Sequence, residues 1–217
     1  MKRLSLAQSG LNGRTYAQLA RLRSPAAIQD FIDALPMNFE KSGETHRSPA
    51  AALKAKKAHC IEGALIAATA LWIHGERPLL MDLWAHELKD GEDHFVALYK
   101  RGGYWGAISK TNHASIRFRD TIYRTLRELA LSYFHEWFMN TTGKKTLESY
   151  SRPLNLASLG PGWLTAEEDL WHLDDRLNAL PHYKLVSAKQ RKYLRKADAM
   201  ELKAGRIEEW LKTNPRT

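Results

Sequence analysis

The sequence predicts an α+β fold in which a helix opened by the only cysteine packs on a small antiparallel sheet, with further helices after it. Three observations predict this. The stretch from Glu62 to Trp72 is almost wholly apolar and too long for one strand, so it reads as a buried helix. Residues 78–110 then break into three short apolar or alternating runs separated by turn residues, which is the pattern of strands and hairpins. After Asp120 the apolar residues return at helical spacing.

Taken in order, Ser24 caps a helix that has Pro25 in its first turn, buries Ile28, Phe31, Ile32 and Leu35, and stops at Pro36. A polar loop covers 38–48. Ser48-Pro49 opens a second helix through Lys57, which breaks or bends before Cys60; the cysteine helix then runs to His74-Gly75. Cys60, Ala64, Ala67, Ala68 and Leu71 share one face of it, and such small residues let a sheet approach closely. Pro78 to Ala85 is a buried strand, Asp90-Gly91-Glu92-Asp93 a turn, and His94 to Tyr99 a second strand. Arg101-Gly102-Gly103 turns the chain into a third, Tyr104 to Lys110. The stripe Ile122, Leu126, Leu129, Tyr133, Trp137 predicts a covering helix that ends near Asn140 to Gly143. Gly160-Pro161-Gly162 reads as a linker, and Thr165 with Glu168 as a capping box opening a helix up to Leu180-Pro181. Ser187 to about Leu211 completes the chain as one basic helix. The division is a main domain over 1–158 and a helical C-terminal extension over 159–217.

Composition narrows the function classes. A chain of 217 residues with 44% hydrophobic residues can bury a full core, while no stretch approaches the roughly 18 apolar residues of a membrane span. The apolar run near Met1 is too short for a signal peptide, so a cytoplasmic protein with no membrane partner is expected. One cysteine excludes an internal disulfide framework and cysteine-rich zinc sites. His135-Glu136 lacks a second histidine at zinc spacing, and neither Gly102-Gly103 nor Gly160-Pro161-Gly162 has the context of a phosphate loop. No metal and no cofactor are expected. The net charge is +9, yet from Pro181 onward there are ten Lys or Arg against four acids, which is most of the excess. That distribution argues against a nucleic-acid groove across the main domain; the basic terminal helix is expected to face water or to meet an acidic partner.

The chemistry-bearing residues are Cys60 and His94. A thiol at a helix N-terminus meets the partial positive charge of the first turn, which favours thiolate, the nucleophilic form. A strand-borne imidazole is the usual base for such a thiol. Glu62, two residues on, is a candidate on the substrate side of the site, or else orients a basic neighbour or favours the first helical turn. Asp82 on the first strand either lines the same cleft or faces solvent. Most tryptophans fall on apolar stripes, but Trp105 is a candidate wall of a substrate channel.

The segments His59-Cys60-Ile61-Glu62-Gly63-Ala64, Asp93-His94-Phe95-Val96 and Gly102-Gly103-Tyr104-Trp105-Gly106-Ala107-Ile108-Ser109 resemble the core of the transglutaminase-like superfamily, within the broader papain-like class. The likeness covers roughly residues 50 to 115. It implies a papain-like core over 1–158, Cys60 as nucleophile, His94 as base, and an acid at the end of the next strand. Here the sequence departs from the pattern, because four residues beyond Trp105 stands Ser109 rather than aspartate. A hydroxyl fixes the histidine tautomer but supplies no negative charge to an imidazolium.

Hairpin register offers two orienting partners for His94. A two-residue Gly102-Gly103 turn pairs Arg101 with Tyr104 and Val96 with Ser109, making Ser109 a diagonal neighbour of His94. A three-residue turn sets Asn112 opposite His94 instead. Two functional readings follow. In the first, Cys60 and His94 carry out acyl transfer on, or hydrolysis of, a peptide or small amide or ester. In the second, the triad is a relic and the protein is a binding or scaffold module whose basic terminal helix engages an acidic partner or nucleic acid.

Overall fold

The computed structural model describes residues 2–40, 43–85 and 92–209. Among them the chain forms α1 (Leu6–Ser9), α2 (Gly13–Ala20), α3 (Pro25–Asp33), α4 (Pro49–Ala55), α5 (Cys60–Ile73), β1 (Leu79–Ala85), β2 (Glu92–Arg101), β3 (Tyr104–Ser109) and β4 (Arg119–Tyr123). It continues through α6 (Leu126–Phe134), β5 (Leu147–Ser151), β6 (Leu154–Asn155), α7 (Trp171–Asn178), β7 (His182–Lys184), α8 (Ala188–Arg191) and α9 (Ala199–Gly205). The strands pair antiparallel in the order β4-β3-β2-β1-β5-β7, with β6 also beside β1. The fold is therefore mixed helix and sheet, with α5 packed on the sheet.

Local chemistry sets the early helices. Ser24 and Ser48 accept from the amides of Ala27 and Ala51, and each is followed by a proline whose missing N–H costs the first turn nothing. α4 stops at Lys56, which adopts a left-handed φ of 54° and breaks the helix just before Cys60. α5 is buried from Ile61 to Leu71 on every side. A helix without a polar face needs cover all round, and α2, α3 and α4 wrap the side that the sheet leaves open. At Gly63 the helix approaches the chain after β3 so closely that a Cβ would lie 2.2 Å from the Cβ of Lys110.

The sheet has two unlike faces. Leu80, Phe95, Ala97 and Ile108 pack toward α5; Met81, Leu83, Val96, Leu98 and Ala107 pack toward Leu129, Ala130, Tyr133 and Phe134 of α6. The two-residue Gly102-Gly103 turn, with φ of 57° and 90°, pairs Arg101 with Tyr104 and Val96 with Ser109. Gln29 of α3 braces the end of β3: its side-chain oxygen accepts from the Ser109 N–H at 2.9 Å, and its amide nitrogen donates to the Ser109 carbonyl at 2.8 Å.

Several expectations need correction. Ile122 belongs to β4 and is exposed, and the helix after it starts only at Leu126, where Thr125 accepts from the Glu128 N–H, and ends at Phe134. Thr165 and Glu168 do not cap a helix. Asp169 accepts from the His46 N–H and Leu170 donates to the His46 carbonyl, so this segment is tied to the loop before α4, and α7 begins only at Trp171. The basic terminal helix is two short ones. Between α8 and α9 the Ala197 N–H donates to the Gly143 carbonyl and Lys145 donates to the Arg195 carbonyl, so backbone groups a continuous helix would need are spent on tertiary contacts. Asp198 then caps α9 anew. Leu211 lies outside the described residues, as do Asp90 and Gly91 of the expected turn. Within 159–209 the chain also supplies β7 to the sheet, and Trp163, Leu164, Leu173 and Leu177 to the core around α5.

Candidate active site

The site lies where β2 begins and β3 ends, beside the first turn of α5. A cavity of about 230 Å³ there is lined by Cys60, Asp93, His94, Asn112 and Trp137 among others. Cys60 is half-buried and His94 is buried against the ring of Trp137. The two residues that sequence spacing joined thus share one cavity wall.

His94 Nε2 lies 2.6 Å from Ser109 Oγ, and that hydroxyl lies 3.0 Å from the Ile116 carbonyl. A carbonyl only accepts, so the one hydroxyl hydrogen points to Ile116 and His94 must donate to Ser109. The imidazole is thereby held with hydrogen on Nε2 and a lone pair on Nδ1. Burial pushes His94 down to about 3, with the nearby charges of His113, His59 and Arg119 adding to it, so the ring is neutral at ordinary pH.

The sulfur's hydrogen-bonding neighbour among the described residues is not His94 but His59, whose Nδ1 lies 3.7 Å from Cys60 Sγ. His59 Nε2 donates to the Thr45 carbonyl and faces Glu40 at 3.2 Å and Glu62 at 3.9 Å. Burial opposes charge on this ring, but the Cys60 sulfur and the carboxylates of Glu62 and Glu40 outweigh it and lift His59 to about 10. Two imidazoles in opposite protonation states therefore flank the site. In the sequence His59 reads only as the last basic residue before the cysteine; its place at the helix cap was the available signal, and the partner's identity depended on a loop 14 residues upstream.

The other candidates divide. Ser109 is buried and holds His94, as the two-residue register required. Asn112 lines the cavity, but its side chain donates to Glu208 and its carbonyl accepts from the Glu209 N–H, so it holds the chain after α9 rather than His94. The same loop binds Ile207 through the Ala114 N–H and Glu209 through Arg117.

Glu62 is wholly buried and accepts from the Thr45 hydroxyl and from the backbone of Arg47 and His59, so it fixes the loop around His59 and has no surface for substrate. Asp82 is neither solvated nor in the thiol cavity; it is buried and accepts from His182 Nε2 at 2.9 Å. Trp105 stacks under the Lys100 ammonium beside the hairpin turn. Four residues of extended strand, about 13 Å, separate it from Ser109, so it does not wall this cavity.

Lys110, missed by sequence reading, is buried across Gly63 and donates to the Leu35 carbonyl beyond α3, and burial pushes it down to about 8 against the pull of Asp33. Among the described residues no group of three or more metal-ligating side chains gathers, and no helix is long and apolar enough to cross a membrane. Compared with protein-family models and with curated proteins, the chain matches none.

Proposed function

We propose that the protein is a papain-like, transglutaminase-like thiol enzyme that hydrolyses an amide or ester through an acyl-Cys60 intermediate. The observation that carries this is the approach of His59 to the Cys60 sulfur at the wall of a cavity that neutral His94 also lines. The antiparallel sheet under a cysteine-headed helix, with the histidine on the second strand, supports the same reading.

In this mechanism His59 carries the proton that Cys60 gives up, and the sulfur attacks the carbonyl carbon. Amides at the start of α5 face the developing oxyanion. As the tetrahedral intermediate collapses, the leaving group departs with the proton from His59. His94 Nδ1 then takes a proton from water as the oxygen attacks the thioester, and the thiolate leaves. Passing the proton from His94 to His59 restores the start. Ser109 keeps His94 in the required tautomer, and burial keeps the ring neutral and able to accept that proton.

The test is iodoacetamide alkylation of Cys60 across pH, followed by trapping of an acyl-enzyme with p-nitrophenyl esters and mass spectrometry. Wild type should label rapidly, as a thiol paired with a histidine does. His59→Ala should lose that labelling, while His94→Ala should keep the acyl-enzyme and fail to hydrolyse it. Slow labelling that is identical in all three proteins would remove the enzyme reading.

A second reading has its own observation. A cavity of about 360 Å³ is lined by Lys144, Lys145, Arg191, Lys192, Arg195 and Lys196, which favours a protein that engages an acidic partner there. Salt-sensitive binding of an acidic peptide that survives Cys60→Ala supports this reading independently of the thiol.

A further inference from the structure

A second cavity, of about 460 Å³, opens on the α5 side of the sheet beyond the helix start. Sheet register builds it. Trp84 of β1 lies opposite Asp93 of β2 and Ser149 of β5, and Ser149 lies opposite Lys184 of β7. One step along, Asp82 is two residues from Trp84 and therefore on the same face, next to His182. A sheet face beside a main core helix is normally apolar; this one carries two aspartates.

The charges on it are unevenly answered. Glu148 on the wall is met by Lys184 and Arg191, and His182 is met by Asp82. Asp82 still has its second carboxylate oxygen buried without a hydrogen-bond partner. Among the described residues no cation pairs with Asp93, while Asp82 and Asp174 of α7, together with Glu44, add negative potential around it. Burial and those neighbours lift Asp93 to about 7, and burial also raises Asp82 against the pull of His182. Asp93, a carboxyl with no paired cation among the described residues on the wall of a cavity of ligand size, with the buried and only half-partnered Asp82 behind it, describes a site for a cation. Asp93 also lines the thiol cavity, so the two spaces meet at this residue.

We propose that this second cavity binds an alkylammonium or guanidinium group, held by Asp93 and backed by Asp82, with Trp84 as the apolar wall for its stem. Placing that group on the substrate whose carbonyl reaches Cys60 rests on the hydrolase reading above; the binding itself does not. The chemical class is then an amide or ester that carries a basic side chain or a basic end.

Binding is measured by calorimetry on the full chain with n-pentylamine, n-pentylguanidine and the uncharged n-pentanol, in wild type, Cys60→Ala and Asp93→Asn. The two cations should bind wild type and Cys60→Ala alike, about tenfold more tightly at pH 8 than at pH 5.5, because Asp93 ionises between them. Asp93→Asn should weaken them by about tenfold or more at pH 8, and pentanol should bind at least tenfold more weakly than pentylamine. Equal binding of pentanol and pentylamine to wild type overturns the proposal whether or not the variant folds. Hydrolysis of lysine and norleucine p-nitrophenyl esters separates the two readings. Cation binding with neither ester cleaved sinks the hydrolase and leaves the site; both esters cleaved equally, with no cation binding, sinks the site and leaves the hydrolase.

Discussion

Replacing Gln29 by leucine should cost the protein a large share of its stability, through two backbone groups far away in sequence. The Gln29 amide is the partner of both the Ser109 N–H and the Ser109 carbonyl, at 2.9 and 2.8 Å, and Ser109 is wholly buried. Leucine keeps the approximate volume and leaves both groups unpaired in the interior. Each such loss costs about 1–3 kcal/mol, so the pair should cost about 2–6 kcal/mol. Against a total of about 5–15 kcal/mol this is severe. With a urea dependence of about 2 kcal/mol per molar, the unfolding midpoint should fall by about 1–3 M, read by circular dichroism and tryptophan fluorescence in parallel. Gln29→Glu, which keeps the acceptor but loses the donor and meets Asp33, should fall in between. A leucine variant whose midpoint moves by less than about 0.3 M would refute the claim that Gln29 is what satisfies the end of β3.

Three further outcomes follow from the same contacts. Gly63→Ala should destabilise, because a Cβ 2.2 Å from that of Lys110 forces overpacking of about 1–3 kcal/mol or more against a helix-propensity gain of about 1; a raised melting temperature would contradict it. His94, with its folded pKa lowered to about 3 from 6.5, takes up its proton first in the unfolded chain, so its contribution is complete above pH 6.5 and is lost as pH falls toward 3. At pH 5 that amounts to about 2 kcal/mol, and His94→Gln should flatten this part of the stability curve; an unchanged slope between pH 5 and 7 would rule it out. Asp93 behaves in the opposite sense for an acid. Its pKa is raised to about 7, so ionising it costs stability as pH climbs from 4 to 7, and Asp93→Asn should be more urea-resistant than wild type at pH 8, with the gap closing toward pH 4. A variant less stable at pH 8 would show that Asp93 is already compensated.

How far the sequence could be read depended on whether a local device decided the structure. The hairpin did decide it: Gly102 and Gly103 adopt the positive φ that a two-residue turn demands, so Ser109 rather than Asn112 reaches His94. The proline-headed helices and the apolar cysteine helix were legible for the same reason. Where a stripe crossed a boundary the reading failed. Ile122 and Leu126 sit four apart as on one helix, yet one is on a strand and the other opens α6, and the Thr125 cap between them was the local sign that a helix starts there. His59 as the sulfur's neighbour, Gln29 as the brace of β3 and the carboxylate face around Asp93 each depend on residues brought together by tertiary packing. None of them has a period or a motif, so side-chain pattern alone could not reveal them.

The hydrogen bonds between the loop after β3 and the residues after α9 join positions 112–117 to 207–209. On a ribosome, which delivers the chain from its N-terminus, the cysteine helix and the three central strands emerge and can begin to pack before positions 207–209 are made. The wall that carries Asn112 and His113 gains its closing partners only once residues 207–209 have emerged. Nascent chains arrested before residue 205 should therefore hold a collapsed sheet and core yet leave Cys60 far more open to bulky alkylating reagents than the released protein does, so the thiol's exposure during synthesis becomes a clock for the closing of that wall.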